Sequence, residues 1–269
     1  MMKKYITDFR VVANEQLTDR LFLLRLTPAD GSRIADCRAG QFAELRVDNE
    51  PKVFLRRPIS IHWIDRDANE MWLLVQRTGN GTRKLGELRA HELLNILYPL
   101  GNGFGMEDAV GKHFLLIGGG VGVAPLLETG HQLSQMGAQV SFLLGGRSCT
   151  EIANVAQFCK VGKVYITSED GSVIDGLDCQ KGFVTQHSIL REGSFKAIRV
   201  CGPLPMMKAV ARTVSGWKQN EQPHFCEVSL ENKMACGLGV CLCCVENTRD
   251  GHKCVCTDGP VFDIKDLKW

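Results

Sequence analysis

The chain has no long apolar run. None of its 269 residues belongs to a stretch approaching the roughly 18–20 apolar positions that a membrane-spanning helix needs. It also lacks an excess of one charge. Lys and Arg number 32 against 30 Asp and Glu, a formal net charge of +2, and no basic run stands out. A nucleic-acid partner requires a clustered positive surface, so that class of function is excluded. We find no internal repeat and no low-complexity tract. With 44% hydrophobic and 23% charged residues, the composition is that of a folded protein and not of a disordered one. The opening residues MMKKYITDFRVV carry two lysines but neither an apolar core nor a small-residue cleavage site. No signal peptide is expected, and a cytoplasmic location is the default.

Cysteine, by contrast, is abundant. Twelve cysteines without a secretion signal point away from a disulfide framework and towards metal or redox chemistry. Cys37, Cys149, Cys159, Cys179, Cys201 and Cys226 are scattered, whereas Cys236, Cys241, Cys243, Cys244, Cys254 and Cys256 crowd into the 21 positions from 236 to 256. Within that tail, Cys236, Cys241 and Cys244 have C-x4-C-x2-C spacing and a fourth thiolate follows, the plant-type pattern for a [2Fe–2S] cluster. Gly237 and Gly239 permit a backbone that aims N–H groups at the sulfurs of an anionic cluster. A four-cysteine zinc site favours C-x2-C knuckles on both sides, and only one is present. Spacing favours the iron–sulfur reading but leaves zinc and free thiols as alternatives, with Cys243, Cys254 and His252 as further candidate members.

Residues 1–108 read as β-rich. Short segments at 22–27, 42–47, 59–64, 71–76 and 93–97 are separated by the turn signals PADGS, DNEP, DRDANE and GNG, a spacing that suits a small antiparallel barrel or sandwich. From Lys112 the pattern changes. An apolar run at 113–117 enters GGGVGVAP, and a helix over 125–136 follows, with Gly137 as its stop. Strands at 139–144, 163–167, 197–201 and 224–230 then alternate with helices at 151–158, 183–190 and 205–218. That alternation predicts a doubly wound parallel sheet with helices on both faces. The fold class is therefore β plus α/β, divided into 1–108, 109–222 and a cysteine-rich lobe at 223–269.

Four motifs carry candidate binding chemistry. The glycines of GGGVGVAP let a backbone approach phosphate at the start of a helix, although such turns also serve packing alone. Cys201-Gly202-Pro203 lies at a strand end, on the edge where doubly wound sheets bind ligands, or is a plain turn. Arg56-Arg57-Pro58-Ile59-Ser60-Ile61 sets a cation beside a rigid proline and a hydroxyl, an arrangement able to hold a pyrophosphate and a ring edge; a surface arginine pair is the commoner meaning. Gly79-Asn80-Gly81-Thr82 is a hairpin turn or a phosphate-cradling loop.

RRPISI, GNGT, PLGNGF, GGGVGVAPLL, CGPLPM, CGLGVCLCC and CVCTDGPVF follow one another in this order from the first domain to the tail, and the resemblance they carry covers essentially the whole chain. The chain resembles the electron-transfer subunits of class 1B dihydroorotate dehydrogenase, within the ferredoxin–NADP reductase superfamily. The resemblance implies an FAD-binding barrel, an NAD-binding α/β domain and a [2Fe–2S] lobe. Arg57, Pro58, Ile59 and Ser60 would then hold FAD, with Arg57 at the pyrophosphate and Ser60 near the isoalloxazine. Leu74, Val75, Gln76, Gly81 and Thr82 would line the same cofactor. Gly119, Gly120 and Gly122 would admit the nicotinamide nucleotide, and Cys201, Gly202 and Pro203 would sit near its ring. The family's cluster ligands fall on Cys236, Cys241, Cys244 and Cys256.

The resemblance also implies a separate FMN-containing catalytic subunit, in a heterotetramer with two of each. A (β/α)₈ barrel needs about 250 residues and finds no room here. Hydride carries two electrons and a cluster takes one, so a flavin between them converts one currency to the other; no general acid or base is assigned. Glu169 and Asp170, after a strand, favour NAD over NADP, while Arg147 at another strand end argues the other way. A reductase serving a ferredoxin, a hydrogenase-like partner or a sulfur acceptor is the alternative, followed by a zinc-stapled module without turnover.

Overall fold

The computed structural model describes residues 3–192 and 194–269. Six antiparallel strands close the N-terminal half: β1 (Tyr5–Gln16), β2 (Leu21–Pro28), β3 (Phe42–Leu45), β4 (Arg57–Asp65), β5 (Glu70–Gln76) and β6 (Leu93–Leu100). Around the barrel they run β1-β2-β5-β4-β3-β6. Side-chain alternation turns Phe9, Phe22, Leu24, Leu26, Ile61, Met71 and Leu73 inward, where all are fully buried. Strand β1 was not anticipated, because its sequence YITDFRVVANEQ is largely polar and only Phe9 and Val11 reach full burial. The Gly79-Asn80-Gly81-Thr82 motif is not a hairpin turn; it opens a short helix, α1 (Asn80–Leu85).

The second half is a seven-stranded sheet. Its strands are β7 (His113–Gly119), β8 (Gln139–Gly146), β9 (Lys163–Ser168), β10 (Asp178–Lys181), β11 (Ala197–Cys201), β12 (Cys226–Ser229) and, after a small hairpin of β13 (Val245–Thr248) and β14 (Gly251–Cys254), β15 (Val261–Asp263). The order is β10-β9-β8-β7-β11-β12-β15, parallel except for β15. Helices α2 (Ala124–Gln135), α3 (Val155–Val161), α4 (Ile189–Glu192) and α5 (Leu204–Ser215) connect the strands. The central strands read as unbroken apolar runs because both faces are covered: Leu115, Leu116, Ile117, Leu143, Leu144, Ile198 and Val200 are all fully buried.

Three expectations need correcting. The helix expected at 151–158 begins late, since a 3-10 turn (Cys149–Glu151) comes first and Asn154 adopts a left-handed φ of 57° before α3. The helix expected at 183–190 is broken at His187, whose extended backbone separates a 3-10 turn (Val184–Gln186) from α4. The lobe drawn at 223–269 is not set apart, because β12 and β15 belong to the α/β sheet and only the chain between them leaves it. Strand β10 was missed altogether, since Asp178–Lys181 is a short polar edge with no apolar alternation.

Barrel and sheet are joined by one apolar core that runs from Leu21, Leu23 and Leu74 to Leu126, Leu127 and Phe142. Polar bonds fix the register of that contact. Fully buried His62 of β4 donates from Nδ1 to the Ala124 carbonyl at 2.8 Å and accepts at Nε2 from the Asn154 amide at 3.0 Å. The Ile64 N–H donates to Glu128 Oε2 at 3.0 Å.

Burial holds His62 down at about 4, although the Ala124 carbonyl opposes the shift. The folded state therefore binds fewer protons than the unfolded chain between the ordinary histidine pKa and about 4, so stability falls as pH drops through that window. By pH 4 the loss is on the order of 3 kcal/mol. Chemical denaturation of wild type and His62→Gln at pH 7 and pH 4.5 checks this. The variant is expected to be less stable at pH 7 and less sensitive to acid.

Candidate electron-transfer site

A cleft of 390 Å³ opens where the barrel meets the sheet. Its barrel wall comes from the start of β4 (Arg57, Pro58, Ile59, Ser60), from Leu74 and Gln76 of β5, and from Thr78 and Thr82 around α1. Val121 and Ala124 of the glycine turn, and residues 229–234 after β12, form the opposite wall. Two sequence motifs 60 residues apart thus face one space. Val75 departs from the expectation: it lies between Leu74 and Gln76, so pleating turns its side chain into the barrel core, at 1% exposure.

The cleft suits a flavin with a diphosphate on one observation above all. Arg57 Nε is buried and, among the described residues, has no hydrogen-bond partner. A buried guanidinium nitrogen left unpaired is costly, and an anionic oxygen would satisfy it. Gly81 makes room for that arginine, since a Cβ there would lie 2.5 Å from Arg57 Nε. Gly81 therefore supports the cleft by seating Arg57 and does not line it.

At the carboxyl edge of the sheet the glycines divide their work. A Cβ on Gly119 would strike Met206, and one on Gly122 would strike Gly202 and lie 2.6 Å from the Cys201 carbonyl. These two glycines lock the GGGVGV turn against Cys201-Gly202-Pro203. Gly120 differs, with a φ of +56° and open space where a side chain would go, so its backbone is left uncovered. Cys201 is buried, and burial pushes its thiol up. Pro203 directly precedes α5. Arg147 and the expected acidic pair meet at the same edge: the Asp170 N–H donates to the Arg147 carbonyl at 3.0 Å. The Asp170 carboxylate accepts from the hydroxyl and N–H of Ser172, which holds it below the usual range.

The four expected cluster cysteines come together as two pairs. Cys236 and Cys241 are neighbours on the outside of the loop, Cys241 being exposed, and the Leu238 N–H donates to Cys236 Sγ at 3.3 Å. Cys244 and Cys256 are neighbours on the inside, 2% and 1% exposed, and the Cys256 N–H donates to Cys244 Sγ at 3.4 Å. Burial raises the Cys236 thiol, yet the N–H groups of Leu238, Cys241 and Val240, together with the Cys241 thiol, outweigh it and bring Cys236 down to about 6. Burial and the Cys244 thiol push Cys256 up to about 12. Among the described residues no three ligating side chains converge on one point. A binuclear cluster, with two thiolates on each iron, asks for two pairs. Cys243 is exposed; Cys254 is near enough to Cys244, Cys241 and Cys236 to feel their charge and makes a long contact of 4.0 Å to the Gly239 carbonyl.

One residue of the site escaped the sequence. Glu44 of β3 is 1% exposed, both its carboxylate oxygens lack a hydrogen-bond partner among the described residues, and its carboxyl carbon lies 2.9 Å from where a Cβ on Gly237 would sit. Burial and the nearby Cys236 raise it to about 7. Its signal was present in FAEL, where alternation puts Glu44 on the same face as the cleft residue Phe42.

Barrel, sheet and paired-cysteine loop together define an electron-transfer oxidoreductase of the ferredoxin–NADP reductase fold. Residues 231–268 match the iron–sulfur cluster binding domain of dihydroorotate dehydrogenase B. The chain is 36% identical to the dihydroorotate dehydrogenase B (NAD(+)) electron transfer subunit of Geobacillus sp. (strain WCH70), over 97% of each chain. It is 37% identical to the subunit of that name from Lysinibacillus sphaericus (strain C3-41), over 94% of this chain and 95% of the relative. The solved structure of an NADH-dependent reduced ferredoxin–NADP oxidoreductase superposes with a TM-score of 0.81 at 24% identity, covering all of this chain and 92% of that one. The chain belongs to the family of dihydroorotate dehydrogenase B (NAD(+)) electron transfer subunits.

Serine at Cys236, Cys241, Cys244 or Cys256 is expected to lower iron below the roughly two atoms per chain of a full cluster, whereas Cys243→Ser and Cys254→Ser retain it. Iron analysis and the visible spectrum separate the two groups. Arg57→Ala removes a charge-assisted bond of about 1.5–3 kcal/mol. FAD affinity measured by flavin fluorescence should fall by about 10- to 100-fold.

Proposed function

We propose that this chain carries electrons from the FMN of a separate dihydroorotate-oxidising subunit, by way of a [2Fe–2S] cluster and FAD, to NAD⁺ in pyrimidine biosynthesis. The observation that carries the reading is continuity of chain: residues 229–234 form a wall of the flavin cleft and run directly into Cys236. When bound, FAD takes or gives electrons in pairs at the nicotinamide and singly at the cluster. The protein supplies binding and orientation. Arg57 would hold the diphosphate, Ile59, Ser60, Leu74 and Gln76 would line the flavin, and Gly120 would admit the nucleotide. Backbone N–H groups around Cys236 would offset the negative charge of a bound cluster.

The cluster loop also presents Leu238, Val240 and Leu242 at 44%, 78% and 64% exposure beside exposed Cys241. That apolar rim around the outer cysteine pair supports docking of the FMN subunit there, and an assembly of two copies of each chain is part of the proposal. No helix among the described residues is long and apolar enough to cross a membrane, and a cytoplasmic location is part of the proposal. Exposed Glu169 and the held carboxylate of Asp170 favour the unphosphorylated ribose of NAD.

Anaerobic titration with NADH should bleach flavin and iron–sulfur absorption together, and NADPH should do so far more slowly. A colourless chain, or a preference for NADPH, would overturn the respective part. In co-expression with the FMN subunit, Val240→Asp should weaken co-purification while leaving flavin reduction by NADH intact.

A further inference from the structure

Two cysteines outside the cluster have no part in this electron path and nevertheless bond to one short segment. Cys149 begins the 3-10 turn after β8 and is buried; Cys179, on edge strand β10, is half-buried. Both thiols close on the 169–177 segment that joins β9 to β10. Cys149 Sγ donates to the Ser172 carbonyl at 3.0 Å, and two residues further on the Ile174 N–H donates to Cys179 Sγ at 3.3 Å. Both cysteines pack on the same apolar cluster, and burial, with the nearby Cys149 thiol behind it, raises the Cys179 thiol. Ser172 is the hub between them. Its hydroxyl accepts from the Cys149 N–H at 2.8 Å and donates to Asp170 at 2.7 Å, and its N–H donates to the same carboxylate at 2.8 Å.

We propose that Cys149 and Cys179 form a reversible disulfide that staples the 169–177 segment and resets the nucleotide edge of the sheet. The oxidant is a low-molecular-weight disulfide. Cys179, the more accessible thiol, attacks one of its sulfurs as the thiolate and expels one small thiol; Cys149 then attacks the Cys179 sulfur of the mixed disulfide and expels the second. Two protein thiols and one small disulfide become one protein disulfide and two small thiols. Bonding draws the sulfurs to about 2.05 Å, which pulls Cys149 away from the Ser172 carbonyl and disturbs the bonds that orient Asp170. The consequence for nucleotide binding rests on the function proposed above; the crosslink does not.

Holoprotein purified without oxygen is equilibrated in glutathione buffers of graded potential, alkylated and mapped by mass spectrometry. The expected result is a 149–179 crosslinked peptide lighter by two hydrogens and reversed by dithiothreitol. With it, the KM for NADH in flavin reduction should rise several-fold at unchanged maximal rate, and Cys149→Ser should abolish both effects. The pair is overturned if exposed Cys159 becomes glutathionylated while Cys149 and Cys179 remain thiols. A crosslink that leaves the KM unmoved overturns the staple's effect on the nucleotide edge. Unoxidised protein whose flavin ignores NADH would count against the proposed function, while the mass map still decides the pair.

Discussion

Helix α2 lies across strand β4, and the bonds that hold it there are made in the absence of water. His62 and Glu128 each reach from one domain to backbone of the other, and both are buried. In a dry interface a misaligned polar group loses its partner outright, so such bonds permit one register and penalise its neighbours. The cleft depends on that register. Its walls belong to different domains, and a slide of α2 along β4 would part Val121 and Ala124 from Ile59 and Ser60.

A second buried contact fixes the other end. Arg199 of β11, 2% exposed, donates to the Gly105 carbonyl at 2.6 and 3.0 Å and pairs with Glu227 of β12 at 3.2 Å; Glu227 in turn accepts from the Gly105 N–H at 2.8 Å. Burial lowers the arginine pKa, and the carboxylate opposes that shift. Such a pair adds little net stability over an apolar substitute, but removal of one member leaves a stranded charge. Its role here is positional: it ties the segment after the barrel to the strand that leads into the cluster loop.

The motifs revealed most of this architecture because each one is dictated locally. A C-x4-C-x2-C run, a proline beside an arginine and a strand entering a glycine turn all declare themselves within ten residues. Contacts made across long separations were hidden. Gly119 and Gly122 looked like ligand positions, and only the packed fold shows that Met206 and Gly202 occupy the space beside them. Val75 sat in a motif whose neighbours face the cleft, and the pleat sent it to the core. Alternation in FAEL puts Glu44 on the face of Phe42, but its approach to Gly237, like that of Cys149 and Cys179 to one segment, joins separate elements and leaves no trace in spacing along the chain.

Strands β12 and β15 are antiparallel neighbours, with Val228 opposite Phe262. The whole cysteine-bearing excursion therefore leaves the sheet and returns to it at adjoining points, as the tip of an enlarged hairpin does. Closing such a loop costs only slowly more as it lengthens. The lobe is in that sense an insertion, and the domain that receives it closes its sheet on either side. The stretch at 229–234 is held to the cleft it lines, so only the chain beyond it can change in length without altering that wall.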